Sequence, residues 1–104
     1  MLTIDLLFGR GSGGLTVSES AWTRFLAQEI TPRFSDGLTV LDAAGQWRNP
    51  QGGGILRERS KVVMIVTPDD STVQERIDAI ATAYKRQFKQ QSVGIVMRAA
   101  CASF

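Results

Sequence analysis

The sequence predicts a single α+β domain whose strands and helices follow the order β-α-β-β-α-β. Apolar residues alternate with a period of two in residues 2–8, 38–47, 55–67 and 92–104, which is typical of strands. They recur at spacings of three and four in residues 18–30 and 71–88, which is typical of helices. A chain of 104 residues, 43% hydrophobic and 21% charged, suits one domain, residues 1–104, with its own core.

The first strand is predicted from residues 2–8. Its even-numbered positions are all apolar, whereas its other face carries Thr3, Asp5 and Leu7. A glycine-rich loop follows in residues 9–14. One face of this strand therefore belongs to the core, and the other is only partly apolar.

The first helix is predicted to begin after Ser18, a residue type that caps helix N-termini well. Val17 and Trp22 occupy the two positions of a hydrophobic staple. Pro32 disfavours helical backbone at the residue before it. The helix should therefore end near Ile30.

The second and third strands are predicted to form a hairpin around the loop of residues 49–54, sequence NPQGGG. Residues 62–66 are apolar on both faces, which indicates a central strand. A second helix follows, with Ser71 and Gln74 spaced as a capping box. A fourth strand is predicted over residues 92–104.

This order of elements predicts the ferredoxin-like arrangement, a four-stranded antiparallel sheet with both helices on one face. The first and third strands would lie in the centre, in agreement with their apolar character. One sheet face then lacks helices, although it carries Leu7 and one of two apolar sets of the third strand. Exposed apolar surface of that size predicts a cover, which could be a second copy, a ligand or the chain's own terminus, and among these we expect a homodimer.

Composition excludes several classes of function. Lys and Arg are spread along the chain and the net charge is only +2, so nucleic-acid binding is not expected. The absence of histidine excludes histidine-activated nucleophiles and common zinc sites, and Cys101 alone makes no internal disulfide. No apolar run reaches the ~20 residues that span a bilayer.

No cofactor or metal is predicted. Gly9, Gly11 and Gly14 match the dinucleotide fingerprint by spacing alone. That fingerprint opens directly into its helix, whereas residues 15–17 separate these glycines from the Ser18 cap. The segment is therefore interpreted as a plain loop.

Two sets of residues are candidates for chemistry. Asp5, in a central strand, is the candidate catalytic acid or base, although an exposed or arginine-paired carboxylate is the more common reason for such a residue. The topology should bring Arg10, Gln46, Arg48 and Arg57 to one edge of the domain, where they would bind an anion. Solvated arginines are the alternative.

Two functions remain open. The first is a ligand-binding or interaction module that dimerises through its sheet face. The alternative is a small histidine-independent enzyme of the dimeric α+β barrel type that acts on an anionic small molecule. No motif in the sequence decides between them.

Residues 7–104 also resemble a bacterial family of small proteins of unknown function, many of them described as lipoproteins or exported proteins. The resemblance rests on the strings LFGR, VSESAWTRFLAQEITPRFSDGLTVLDAAGQWR, RSKVV, AYKRQFKQQSV and CASF. It implies a bacterial source and no catalytic residues. Members often carry an N-terminal export segment, whereas this chain starts at its first strand, so we expect a cytoplasmic protein, with an exported or envelope-associated one as the alternative.

Overall fold

The computed structural model describes residues 1–11 and 16–104. It contains four strands, β1 (Leu2–Gly9), β2 (Thr39–Arg48), β3 (Ile55–Thr67) and β4 (Gly94–Ala99). Helix α1 (Glu19–Phe25) continues as a π-helical turn over Leu26–Ile30, and helix α2 spans Val73–Phe88. The element order is the one that the sequence predicts.

The four strands form one antiparallel sheet in the order β2-β3-β1-β4. This order and the two helices confirm the ferredoxin-like α+β fold, with β1 and β3 in the centre. The even-numbered side chains of β1 point to the face that the helices cover, which we call the helix side. On β3 that face carries Val63 and Ile65, both buried, so Val62, Met64 and Val66 lie on the open side.

The core on the helix side is rich in aromatic rings. Phe8 of β1 contacts Trp22 of α1 and Tyr84 of α2, with ring centroids 5.1 and 4.8 Å apart. Phe25 adds a further edge contact to Tyr84 at 5.1 Å. Such tilted and edge-on pairs contribute about 0.5–1.5 kcal/mol each beyond their buried area. The rings therefore fix both helices against β1.

The helix starts agree only in part with the sequence. Ser18 caps α1 as predicted, accepting a hydrogen bond from the Ala21 N–H at 3.1 Å. The predicted capping box at Ser71 is wrong, because α2 begins one residue later, with Thr72 as its cap residue. The charged carboxylate of Asp70 instead accepts hydrogen bonds from both the N–H and the hydroxyl of Thr72, at 2.8 and 2.6 Å.

The fourth strand is shorter than the predicted segment of residues 92–104. It ends at Ala99, and residues 100–104 are not in a strand. Its neighbour β1 begins at Leu2, and the Ala100 N–H bonds to the Met1 carbonyl at 2.9 Å. The ladder between β4 and β1 therefore ends where β1 begins.

The β2–β3 hairpin extends beyond the rest of the sheet. The last pair between β1 and β3 is Gly9 with Ser60, whereas β2 and β3 stay paired as far as Arg48 with Ile55. We call residues 44–59 the hairpin arm. It gives the molecule a long dimension of 43 Å against 25 and 22 Å.

Among the described residues, no helix is both long and apolar enough to cross a bilayer.

Candidate anion-binding cleft

A cleft of about 440 Å³ lies where the hairpin arm leaves the domain, beside the first turn of α1. It is open to solvent, and charged side chains from four elements or their flanks reach it. Its lining consists of Arg10, Glu19, Asp42, Ala43, Ala44, Arg59 and Ser60.

Arg10 ties the end of β1 to the start of α1. Its N–H donates to the Arg59 carbonyl at 3.0 Å, and its carbonyl accepts from the Val17 N–H at 2.7 Å. Its guanidinium donates to the Val17 carbonyl at 3.1 Å and forms an ion pair with Glu19 at 3.2 Å. Although it is an arginine, Arg10 is only 8% exposed. These bonds hold its charge in a fixed position at the cleft wall.

Lys61 is the second buried cation beside the cleft. Its side chain is 4% exposed, and its ammonium donates to Glu19 at 2.8 Å and to Asp42. The two carboxylates are themselves 65% and 80% exposed. Lys61 therefore joins β3 to both β2 and the first turn of α1.

The charges of this network fix its protonation. The hydrogen bond from Lys61 and its positive charge lower the pKa of Asp42. Burial alone would lower the pKa of Lys61, but its hydrogen bonds to Asp42 and Glu19 and the negative charges of these carboxylates outweigh this effect, and the net shift is upward. Lys61 therefore stays charged at neutral pH and is a fixed cation, not a nucleophile.

Arg59 lies next to Arg10 across the sheet and shares its side, as the backbone bond between them shows. Within residues 1–11 and 16–104, Arg59 takes part in no ion pair, and Glu19 binds only Arg10 and Lys61. Like charges directly opposite each other in a sheet are unfavourable. Arg59 is thus the positive charge of the cleft that no described carboxylate compensates, and it lies beside a second arginine.

The other predicted ligand-binding residues lie farther along the arm. Gln46 and Arg57 are partners across β2 and β3, and Arg48 is paired with Ile55 at the next position on the same side. All three are exposed and face the helix side with Arg59, but the cleft wall does not include them. The structure places them in line with the cleft, and it brings only Arg10 into it.

Asp5, the predicted catalytic residue, lies on the open side in the middle of β1. Its Oδ2 is 3.5 Å from the Arg98 guanidinium on β4. Its Oδ1 is buried and has no hydrogen-bond partner among the described residues. The sheet separates Asp5 from Arg10 and the arginines of the arm, so the two predicted groups belong to opposite faces.

The sequence analysis did not single out Glu19, Asp42 or Lys61 as site residues. Lys61 belongs to the charged run that begins at Arg57, and such a run is usually solvated. The available signal was the alternation in β3, because Lys61 is two positions from Val63 and therefore shares its buried face. Glu19 carried no signal beyond its place in the first turn of a helix.

Tyr84 and Glu58 support the backbone next to the cleft. The Tyr84 hydroxyl donates to the Gly9 carbonyl at 2.5 Å, and burial raises its pKa well above the ordinary value, so it stays protonated. Burial also raises the pKa of Glu58. A hydrogen bond from the Gly11 N–H to its carboxylate opposes this shift in part. The two side chains hold Gly9 and Gly11 from opposite sides of the sheet.

Among the described residues, no three acidic, histidine or cysteine side chains lie close enough together to hold a metal ion.

Residues 3–104 match the family model described as "Protein of unknown function (DUF3574)", and the chain belongs to this family. This confirms the resemblance to a family of unknown function. No curated protein matches the sequence.

Two solved structures share the fold. A phage SAM lyase in complex with S-methyl-5'-thioadenosine has a TM-score of 0.71 and 16% sequence identity, and the match covers 93% of this chain and 79% of the lyase. A phage SAM lyase in the apo state has a TM-score of 0.67 and 15% identity, with 93% and 78% covered. At such low identity the likeness establishes the fold alone.

Proposed function

We propose that this chain is a ligand-binding module that takes a small anionic molecule in the cleft and works as a homodimer. The observation that carries the proposal is the neighbouring pair Arg10 and Arg59, of which only Arg10 has a carboxylate partner among the described residues. An anion between the two guanidinium groups relieves their repulsion and accepts charge-assisted hydrogen bonds.

The charge balance around the cleft supports an anion over a cation. The helix side of the arm and the cleft wall hold five positive side chains against two carboxylates. Both carboxylates are already bound to buried cations. The cations are Arg10, Arg48, Arg57, Arg59 and Lys61, and the carboxylates are Glu19 and Asp42.

The size and rigidity of the cleft suit a small metabolite. Its volume of about 440 Å³ lies within the usual range for small-molecule sites, about 300–1,000 Å³. Two groups, the Val17 carbonyl and the Glu19 carboxylate, fix the Arg10 side chain before any ligand arrives, so little side-chain freedom is lost at that position on binding. Arg57 and Arg59 on the arm are exposed, so their side chains are free to turn toward the anion and donate hydrogen bonds to it.

Thermal shift followed by calorimetry tests this proposal, with phosphate, sulfate, citrate and a dicarboxylate as probes. A ligand at about 100 times its Kd stabilises the folded state by about 2.7 kcal/mol. For a domain of this size, the corresponding rise in Tm is about 10 °C. At least one probe should raise the Tm.

The matched variants are Arg59→Ala in the cleft and Arg86→Ala in the last turn of α2, an exposed arginine that does not line it. Arg59→Ala should weaken binding at least about tenfold, because a hydrogen bond to a charged group contributes about 1.5–3 kcal/mol. Arg86→Ala should bind like the wild type. If no probe shifts the Tm, or if both variants bind equally well, the cleft is not an anion site.

The likeness to SAM lyase favours one alternative, a histidine-independent enzyme with Asp5 as acid or base. Its test is incubation of the protein with SAM and chromatography for S-methyl-5'-thioadenosine. Turnover that Asp5→Asn abolishes would support the enzyme. Anion binding without turnover would support the binding module.

A further inference from the structure

We infer that a second copy of this chain covers the open side of the sheet, and that Arg98 of each copy pairs with Asp5 of the other. The inference rests on the homodimer proposed above and identifies its surface. It starts from the side chains that the strand register places on that side.

The middle of the open side is apolar in two adjacent rows across the sheet. One row holds Leu41, Val62 and Leu7 on β2, β3 and β1. In the next row Met64 and Val96 lie on the two sides of Asp5. Leu7, Leu41, Met64 and Val96 are all about 40% exposed, which is unusual for neighbouring apolar side chains of a monomer.

The extent of this surface fits a stable interface. A lasting contact needs about 800 Å² from each partner. The strands β3, β1 and β4, spaced about 4.8 Å apart, form the centre of this contact, and the exposed Leu41 of β2 extends it at one edge. Neither of the two helices in the described residues covers it, because α1 and α2 both pack on the other side.

The charges in the patch select a second copy as the occupant. Among the described residues, its centre has one acid, Asp5, and one base, Arg98, so two identical patches meet without net repulsion. Arg98 is 58% exposed, and its ion pair with Asp5, at 3.5 Å, is longer than a normal hydrogen bond, so its guanidinium can reach a second acceptor. The Asp5 side chain is 22% exposed, so a guanidinium from a second copy can reach it from the open side.

A two-fold axis that runs parallel to β1, between the two sheets, matches the apolar side chains and pairs the charges. It places Met64 opposite Val96 of the partner subunit, and Val62 opposite Gly94 of the partner subunit, a large side chain over a residue without one. In two sheets about 10 Å apart, each Arg98 then spans the gap to the partner's Asp5. The contact is reciprocal, as a two-fold interface requires.

Size-exclusion chromatography with light scattering, which gives the molar mass in solution, tests the interface with a matched pair of substitutions. Met64→Lys changes an open-side methionine that is 38% exposed, and Met97→Lys changes a methionine that is 40% exposed on the helix side of β4. The wild type and Met97→Lys should be dimers, whereas Met64→Lys should be a folded monomer by circular dichroism. Three results would overturn the interface. The wild type could be a monomer at high concentration, it could have the mass of a trimer, or both variants could remain dimers.

Mixing two charge variants tests the exchanged pair separately. Arg98→Asp leaves two acids in each patch and Asp5→Arg leaves two bases, so each variant alone should dimerise at least tenfold more weakly than the wild type. An equimolar mixture should recover dimers, because each acidic patch meets a basic one, whereas a pair confined within one chain gains nothing from mixing. Dimers that neither variant weakens, or that mixing does not restore, would refute the exchange and leave the anion-binding proposal untouched. If Asp5→Arg does not fold, the Arg98→Asp result alone still decides, since undiminished dimerisation refutes the exchange.

Discussion

Replacing Glu19 with alanine should destabilise the protein more than replacing either of the cations that it binds. Glu19 is 65% exposed, but the side chains of its partners Arg10 and Lys61 are 10% and 4% exposed. Its removal leaves buried charges that have lost a partner, whereas removal of Lys61 leaves carboxylates that water can solvate. The cost of a broken ion pair depends on which member stays buried without compensation.

The magnitude follows from the two contacts. A hydrogen bond to a charged group contributes about 1.5–3 kcal/mol when both groups are buried. The exposure of Glu19 reduces each contribution toward the value for a surface pair, about 1 kcal/mol. Loss of an acid from the first helical turn adds about 0.3–1 kcal/mol. Glu19→Ala should therefore cost about 2–3 kcal/mol, and Lys61→Met about 1 kcal/mol.

Urea unfolding, followed by the fluorescence of the buried Trp22, measures these differences. The matched control is Glu75→Ala, which removes an acid from the first turn of α2 that forms no ion pair among the described residues. It isolates the helix-dipole contribution, so its cost should stay below about 1 kcal/mol. If Glu19→Ala costs no more than Glu75→Ala, the buried cations do not depend on Glu19 and the reasoning fails.

Two further predictions concern single groups near the cleft. Tyr84→Phe should cost about 1–2 kcal/mol in urea unfolding, because it removes the bond from a buried hydroxyl to the Gly9 carbonyl, and a cost near zero would contradict that bond. The lowered pKa of Asp42 means that its contribution to stability is complete above about pH 4 and is lost as the pH falls through its folded-state value. Asp42→Asn should therefore lose less stability on acidification than the wild type. If the free energy of unfolding falls equally in both proteins at low pH, the pairing with Lys61 is contradicted.

The fold could be predicted because local and long-range signals agree. The period-two pattern of β1, the cap at Ser18 and the apolar run in β3 each favour the same arrangement, and the structure has all three. The end of β4 could not be predicted, because a strand ends where its neighbour ends, and that neighbour lies some ninety positions away in the chain. The start of α2 was misplaced by one residue, because Asp70 competes with Ser71 for the role of acceptor.

The cleft could be predicted only in part, since a charged run shows which residues are polar but not which of them are buried. Lys61 is buried because Glu19 and Asp42 meet its ammonium from two other elements. These partners are 42 and 19 positions away, so no local pattern contains them. Arg10 was identified for its place after β1, and its burial depends on the Val17 carbonyl and on Glu19 across the loop.

Strand alternation also decides which of the predicted residues can act together. Asp5 and Arg10 are an odd number of positions apart along β1 and its extension, so they project from opposite faces of the sheet. A mechanism that needs Asp5 and an arginine in one pocket cannot use Arg10 within a single copy. The arginine that shares the side of Asp5 is Arg98, and it lies where a second copy would dock. Any catalytic use of Asp5 would therefore take place on the surface where that copy docks, and Met64→Lys should change it together with dimerisation while leaving anion binding in the cleft intact.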